Sequence, residues 1–273
     1  MFWYAMFALS IIHCMKIVAI ANQKGGVGKS ATAHALGAVL ASDYDRRVLL
    51  VDVDPQSSLT EACNGGDIAD NSMAEVLGGA SPGSMPITEI LVELGPNLYL
   101  APADLALAAT ELGLSSRMGR ENVLKKALAP TKPYFDLALI DCPPSLSLLT
   151  VNALTAADAV LIPTQPQVVD LRGLRLFLDT LDNIRIELNP DLETLGILPT
   201  FYDKRLIHHR DAIAAMQNAD LPVMSVKIGR SVRVAEAAAS GETVVTYEPK
   251  NPQAQAYREL AEEIDKWLNK KQT

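Results

Sequence analysis

Cysteine and aromatic residues are scarce in this 273-residue chain, which has three cysteines and only 5% Phe, Trp and Tyr. Cys14, Cys63 and Cys142 are odd in number and lack the short spacings of a zinc or iron–sulfur site. That excludes a disulfide framework and points to a reduced, cytoplasmic setting. Few aromatics beside abundant Ala, Leu and Val favour an α/β protein over a sandwich of aromatic-rich strands. Basic charge is also short: 24 Lys and Arg against 32 Asp and Glu leave a formal net charge of −8. This excludes a protein that coats nucleic acid with its whole surface, and leaves room for one local basic face. What the chain does have is apolar material, 49% of its residues, so global disorder is excluded as well.

The first fourteen residues, MFWYAMFALSIIHC, carry no Lys or Arg, so the positive start of a secretory signal is missing. The run is too short to span a bilayer as a helix. Residues 1–14 read as an apolar extension or a misassigned start, and residues 15–273 as one domain. Past Met15, short β-branched runs alternate with longer helical patterns. Strands are expected at 16–21, 47–53, 136–141, 158–163 and 194–199, and helices at 28–41, 103–112, 118–129, 145–156, 168–188 and 205–219. Such alternation predicts a doubly wound, mainly parallel sheet with helices on both faces. No internal repeat or long linker interrupts it, and residues 64–100 are the least informative stretch.

Directly after the first expected strand stands Gln23-Lys24-Gly25-Gly26-Val27-Gly28-Lys29-Ser30, which leads into the helical pattern ATAHALGAVLA. A strand that turns through glycines into a helix aims backbone NH groups and the positive helix end at one point, which suits a phosphate. Lys29 can reach the β- and γ-phosphates, and the Ser30 hydroxyl can ligate Mg²⁺. The run VLLVDVDPQ then delivers Asp52 and Asp54 to the carboxyl edge of the sheet, where ligands bind in α/β folds. Alternation of side chains would turn both carboxylates toward the phosphates. A second apolar run, FDLALIDCPP, ends in Asp141 in the manner of a Walker B strand, whose acid holds Mg²⁺ through water. Cys142 beside it reads as a small packing residue.

The loop departs from the usual phosphate loop, because Gln23 replaces its first glycine and Lys24 follows. This is the deviant Walker A form, and the chain resembles the ParA/MinD family of ATPases from about residue 15 to 268. Taken alone, Lys24 reads equally as a solvated lysine at a loop entrance. The resemblance implies instead that Lys24 crosses a dimer interface to the partner's nucleotide, so that ATP favours association. It also implies that Asp54, in Asp54-Pro55-Gln56, positions the attacking water and the Mg²⁺ shell, with Asp52 behind it. The catalytic set is then Lys24, Lys29 and Asp54, the metal set Ser30, Asp54 and Asp141. ATP lies on Lys24, Gly25, Gly26, Val27, Gly28, Lys29, Ser30 and Ala31. The related nitrogenase iron protein needs cluster cysteines that Cys63 and Cys142 do not match.

By the same resemblance the adenine is cradled by Pro199, Thr200, Tyr202 and Asp203 and by Pro249 and Asn251, although Phe201-Tyr202 could equally be core. Residues 204–233 hold Lys204, Arg205, His208, His209, Arg210, Lys227, Arg230 and Arg233 against Asp211 and Asp220. A solvated helix face would explain that excess. The resemblance to chromosome-partition ParA proteins makes Arg205 and Arg233 grips for DNA phosphates, supported by Lys227 and Arg230, without sequence preference. It further implies an ATP-dependent homodimer on the nucleoid and a ParB-like adaptor that stimulates hydrolysis. The cargo is a chromosome, a plasmid or a protein body. The alternative is a MinD-like membrane-cycling regulator that uses the apolar first fourteen residues as an anchor. Against it, the last helical pattern sets Glu259, Glu262, Glu263 and Asp265 opposite its apolar stripe, and those acids repel anionic lipid. A metabolic enzyme on the same scaffold is a weaker third reading, since no substrate pocket is apparent.

Overall fold

A computed structural model describes residues 15–64, 71–78, 85–167 and 170–270. Its strands are β1 (Lys16–Ile20), β2 (Val48–Asp52), β3 (Val92–Gly95), β4 (Leu98–Ala101), β5 (Leu137–Asp141), β6 (Ala159–Thr164) and β7 (Glu193–Pro199). They form one seven-stranded sheet in the order β3-β4-β2-β5-β1-β6-β7. Every pairing is parallel except β3 on β4. Each residue of β2, β5 and β6 is buried, as a sheet covered on both faces requires.

The helices are α1 (Lys29–Asp43), α2 (Ser58–Asn64), α3 (Met73–Gly78), α4 (Ala106–Leu114), α5 (Val123–Leu128), α6 (Leu148–Ala156), α7 (Asp170–Glu187), α8 (Ile207–Asn218), α9 (Val232–Ala239), α10 (Val244–Tyr247) and α11 (Pro252–Leu268). Side-chain alternation along the strands splits the core in two. Val18, Ile20, Leu50 and Leu139 pack with Leu36 and Leu40 of α1 and with Tyr257, Leu260 and Ile264 of α11. Ile17, Ala19, Leu49 and Val51 face the other way, into Leu107, Leu124, Leu149 and Phe177. At about 1.5–3 kcal/mol for each fully buried large apolar side chain, the stripe of α11 binds that helix firmly to the sheet. Asn251 caps its start by accepting a hydrogen bond from the Gln253 NH at 2.9 Å.

The five expected strands and the doubly wound architecture are present, and six expected helices are found with shifted ends. The run 118–129 resolves into a 3₁₀ turn, Arg120–Asn122, ahead of α5, because Gly119 takes a left-handed φ of 65°. Positions 168–169 of the expected helix 168–188 lie outside the described residues, as do residues 1–14. The β3–β4 hairpin is unforeseen. Its edge strand is only half-buried, so it lacks a continuous apolar run, and its turn rests on Asn97 at φ 62°.

One buried group of α1 makes stability depend on pH. Burial pushes the His34 imidazole down to about 4 from its ordinary 6.5. The unfolded chain therefore binds the proton first, and stability falls as pH drops through this interval. The expected loss from pH 7.5 to 5 is about 2 kcal/mol. Urea unfolding should show a flatter profile over this range for His34→Gln than for the parent.

Candidate nucleotide site

The loop from Asn22 to Gly28 joins β1 to α1 at the carboxyl edge of the sheet. Two of its glycines adopt backbone conformations that side chains disfavour, Gly26 at φ 69° and Gly28 at φ 85°. The Asn22 side chain fixes the loop at both ends: it donates to the Pro163 carbonyl at 2.7 Å and accepts from the Lys24 NH at 3.0 Å. Phe201 lies against the other side, its ring 3.6 Å from where a Cβ on Gly28 would stand. A side chain at Gly28 would thus meet both strain and that ring.

Around the loop the carboxylates divide by partner. Asp52 and Asp141 are register neighbours on β2 and β5. Asp52 is fully buried, and its oxygens accept from the Asp54 NH at 3.0 Å, the Thr60 NH at 2.9 Å and the Thr60 hydroxyl at 2.8 Å. Burial still pushes it up to about 6. The expectation that Asp52 and Asp54 both turn toward the phosphates therefore needs correction for Asp52. Strand β2 ends at Asp52, so alternation does not extend to Asp54, and Asp52 is spent holding the chain around it. Asp54 is buried and accepts from the Gln56 NH at 2.9 Å.

Asp141 differs from both. Neither of its buried carboxylate oxygens has a hydrogen bond of good geometry. Burial raises its pKa well above the ordinary value and the Asp52 charge adds to the effect, while the Ser30 hydroxyl and Lys29 nearby pull it down. Lys29 is itself buried, which lowers its pKa, against the attraction of Asp141 and Asp54. Its ammonium reaches the Lys24 carbonyl at 3.4 Å. A buried carboxylate without a hydrogen bond of good geometry, beside a serine hydroxyl and a buried ammonium, is the donor set for a hydrated divalent cation next to a polyphosphate. The residues present thus fit Mg²⁺–ATP: Ser30 would ligate the ion and Asp141 would hold its water. The ion would supply charge neutralisation on the phosphates.

Lys24 turns to Gln165, its Nζ 3.4 Å from the Gln165 Oε1, and the Gln165 amide donates to the Gly26 carbonyl at 3.4 Å. Sequence reading passed over Asn22, Gln165 and Thr60, although a polar Asn22 between an apolar strand and glycines was a visible signal. Among the described residues, burial pushes the Cys142 and Cys63 thiols far up, which disfavours their thiolates.

The two segments assigned to the base are linked through a third, residues 228–229. Ile228 bonds to both ends of the first, its NH to the Pro199 carbonyl at 2.8 Å and its carbonyl to the Tyr202 NH at 3.0 Å. Gly229 then donates to the Gln253 side chain, just beyond Asn251. A Cβ on Gly229 would stand 2.9 Å from that amide, so a side chain there would displace the end of Gln253. The Thr200 hydroxyl is buried without a partner, whereas Asn251 donates to Glu248 and the Pro249 carbonyl accepts from Arg258.

Of the basic residues, Arg205 is 84% exposed but clasps Asp203 with two nitrogens, at 3.0 and 2.7 Å. Arg233 bonds Glu236 at 2.6 Å and lies 3.5 Å from Glu248. Lys227 stands 5.7 Å over the Tyr202 ring, and Arg230 follows Gly229 in the same region. Asp203 thus belongs both to the assigned base cradle and to an arginine.

The AAA domain family model matches residues 15–194. The sporulation initiation inhibitor protein Soj of Bacillus subtilis is 40% identical over 252 residues, 91% of this chain and 98% of that protein. The chromosome partitioning protein ParA of Caulobacter vibrioides is 39% identical over 255 residues, 92% of this chain and 94% of that protein. The chain belongs to the ParA/MinD family of P-loop ATPases. Similar in structure is a protein described as cobyrinic acid a,c-diamide synthase from Mycobacterium smegmatis, solved with an ATP analogue and magnesium. It has 39% identity and a TM-score of 0.80 over 93% of this chain and 96% of that one.

As the family's loop lysine, Lys29 should be indispensable. Calorimetry should detect no ATP binding to Lys29→Ala at concentrations that saturate the parent. Asp54→Ala should bind ATP as the parent does and hydrolyse it at least about a hundredfold more slowly in a phosphate-release assay.

Proposed function

We propose that this chain is an ATPase that dimerises with ATP, binds DNA without sequence preference and partitions or positions a cargo. The observation that carries the reading is the two-lysine loop set against the unbonded Asp141 carboxylate, in a chain matching Soj and ParA over nearly their full length. Water attacks the γ-phosphorus, the bond to the β–γ bridging oxygen breaks, and ADP leaves with phosphate. Asp54 orients that water, Lys29 balances the phosphate charge, and Lys24 reaches the nucleotide of the partner. Since Lys24 completes the charge only in the dimer, ATP binds the dimer more tightly than the monomer. The adaptor that stimulates hydrolysis is ParB-like, and the protein works in the cytoplasm on the nucleoid.

Membrane cycling is the poorer reading. The apolar stripe of α11 is buried against the sheet, and among the described residues no helix is long and apolar enough to cross a membrane. Diamide synthesis is disfavoured too, because neither Cys63 nor Cys142 is poised as the thiolate that would release ammonia from glutamine.

DNA binding tests the reading. With an ATP analogue, plasmid DNA and not anionic liposomes should co-sediment with the protein. Lys24→Ala should remain monomeric and lose most DNA binding. Arg205→Ala and Arg233→Ala should dimerise normally, and each should lower the steepness of the salt dependence by about one unit per lost phosphate contact. Salt titrations that superimpose on the parent would remove both arginines from the DNA face.

A further inference from the structure

Helix α4 is anchored by one face and bare on the other. Leu107 and Leu114 are buried in the core, Thr110 donates to the Ala74 carbonyl at 3.2 Å, and Glu111 accepts from the Leu149 NH at 3.1 Å. The opposite face carries Leu105, Ala108, Ala109 and Leu112, all exposed, with Leu105 at 71% and Leu112 at 77%. Positions i, i+3, i+4 and i+7 form one continuous apolar stripe. Among the described residues, nothing in the core uses it.

We propose that this stripe is a self-complementary contact, on which α4 packs antiparallel to α4 of a second copy across a two-fold axis. The proposal rests on the ATP-driven dimer proposed above and names part of its interface. Two observations select a second copy as the occupant. The first is symmetry: Leu-Ala-Ala-Leu reads the same in both directions about a point between Ala108 and Ala109. A two-fold axis through that point sets Leu105 against Leu112 of the second copy, and alanine against alanine at the centre. An isologous interface demands such self-complementarity, and small residues at the axis let two helices approach to about 8 Å.

The second is position. Strand β4 runs parallel to β2, so α4 starts at the carboxyl edge of the sheet, where the phosphate loop lies. The Ala103 NH, two residues before Leu105, donates at 3.0 Å to the Thr60 hydroxyl, which donates to Asp52. On the other flank Leu146, 44% exposed, follows Pro144, which stands 3.7 Å from where a Cβ on Gly25 would be. The stripe therefore borders the mouth through which Lys24 would reach a second nucleotide. Bringing two mouths together carries both copies of α4 toward the same axis.

The test uses the full chain with Mg²⁺ and a non-hydrolysable ATP analogue. Leu105→Glu and Leu112→Glu alter exposed positions and should bind the analogue as the parent does. In light scattering, each should need a protein concentration at least about tenfold higher to dimerise, because a carboxylate is forced into an apolar contact. Ala109→Cys should give an oxidative cross-link between copies with the analogue and not with ADP, above the background of the parent's own cysteines. If both glutamate variants dimerise like the parent and the cross-link is absent, while Lys24→Ala stays monomeric, the α4 assignment falls and the dimer reading stands. If the parent itself stays monomeric with the analogue, the dimer reading falls and takes this proposal with it. Normal dimers that have lost only their response to an adaptor protein would also overturn the proposal, and would make the stripe an adaptor surface.

Discussion

An uncompensated carboxylate governs the nucleotide edge of this fold. Asp141 is buried at the end of β5 with no hydrogen bond of good geometry, beside a lysine that is also buried. Leaving such a group in place costs folding free energy, since burial disfavours its charged form and it makes no hydrogen bond of good geometry. Strands β2 and β5 bring Asp52 and Asp141 to one edge in register, and the loop after β1 brings Lys29 to the same edge, so the cost is concentrated where a ligand can offset it. A polyphosphate with its divalent ion offers that compensation: anionic oxygens for Lys29, and bound water as donor for Asp141. The site is thus strained in charge while its backbone is held rigid, by Asn22 on one side and by Phe201 against Gly28 on the other.

Much of this was legible in the sequence, and the reason is locality. The phosphate loop, Asp54 and Asp141 each sit at the end of an apolar run, so strand periodicity alone delivers them to the same edge. The buried strands were legible because residues covered on both faces form continuous apolar runs. What escaped depends on contacts between distant segments. The role of Asp52 is set by Thr60 on α2, and the hold on the loop by Asn22 reaching β6; neither partner is implied by spacing. The β3–β4 hairpin escaped because an edge strand buries half its side chains at most. The stripe on α4 escaped for the opposite reason: apolar residues at helical spacing read as core, and only the structure shows that this helix has two such faces.

Electrostatics on the far side of the site follow a similar division. Counted in the sequence, residues 204–233 form a basic segment. In the fold, Asp203, Glu236 and Glu248 stand against its two assigned DNA arginines, and all three of those acids lie outside the counted window. Exposed pairs of this kind are worth roughly 0–1 kcal/mol each, so they hold the arginines without sequestering them. A single monomer then presents a weak, partly neutralised patch on a chain of net charge −8. Affinity for a polyanion would have to come from number, through counterions released over many contacts at once.

That requirement ties the surface to the site. Doubling the contacts by a two-fold axis multiplies binding constants, whereas strengthening one arginine adds only a single term, so an ATP-driven dimer is the economical way for an acidic chain to hold DNA reversibly. In the proposed dimer the same axis would ask for an apolar contact near the nucleotide mouth, because Lys24 alone would supply charge and little buried area. Helix α4 has the exposed leucines to supply it. Its tether through Ala103 and Thr60 to Asp52, whose other oxygen holds the Asp54 backbone, makes one hydrogen-bonded chain from the Asp54 backbone to the start of α4.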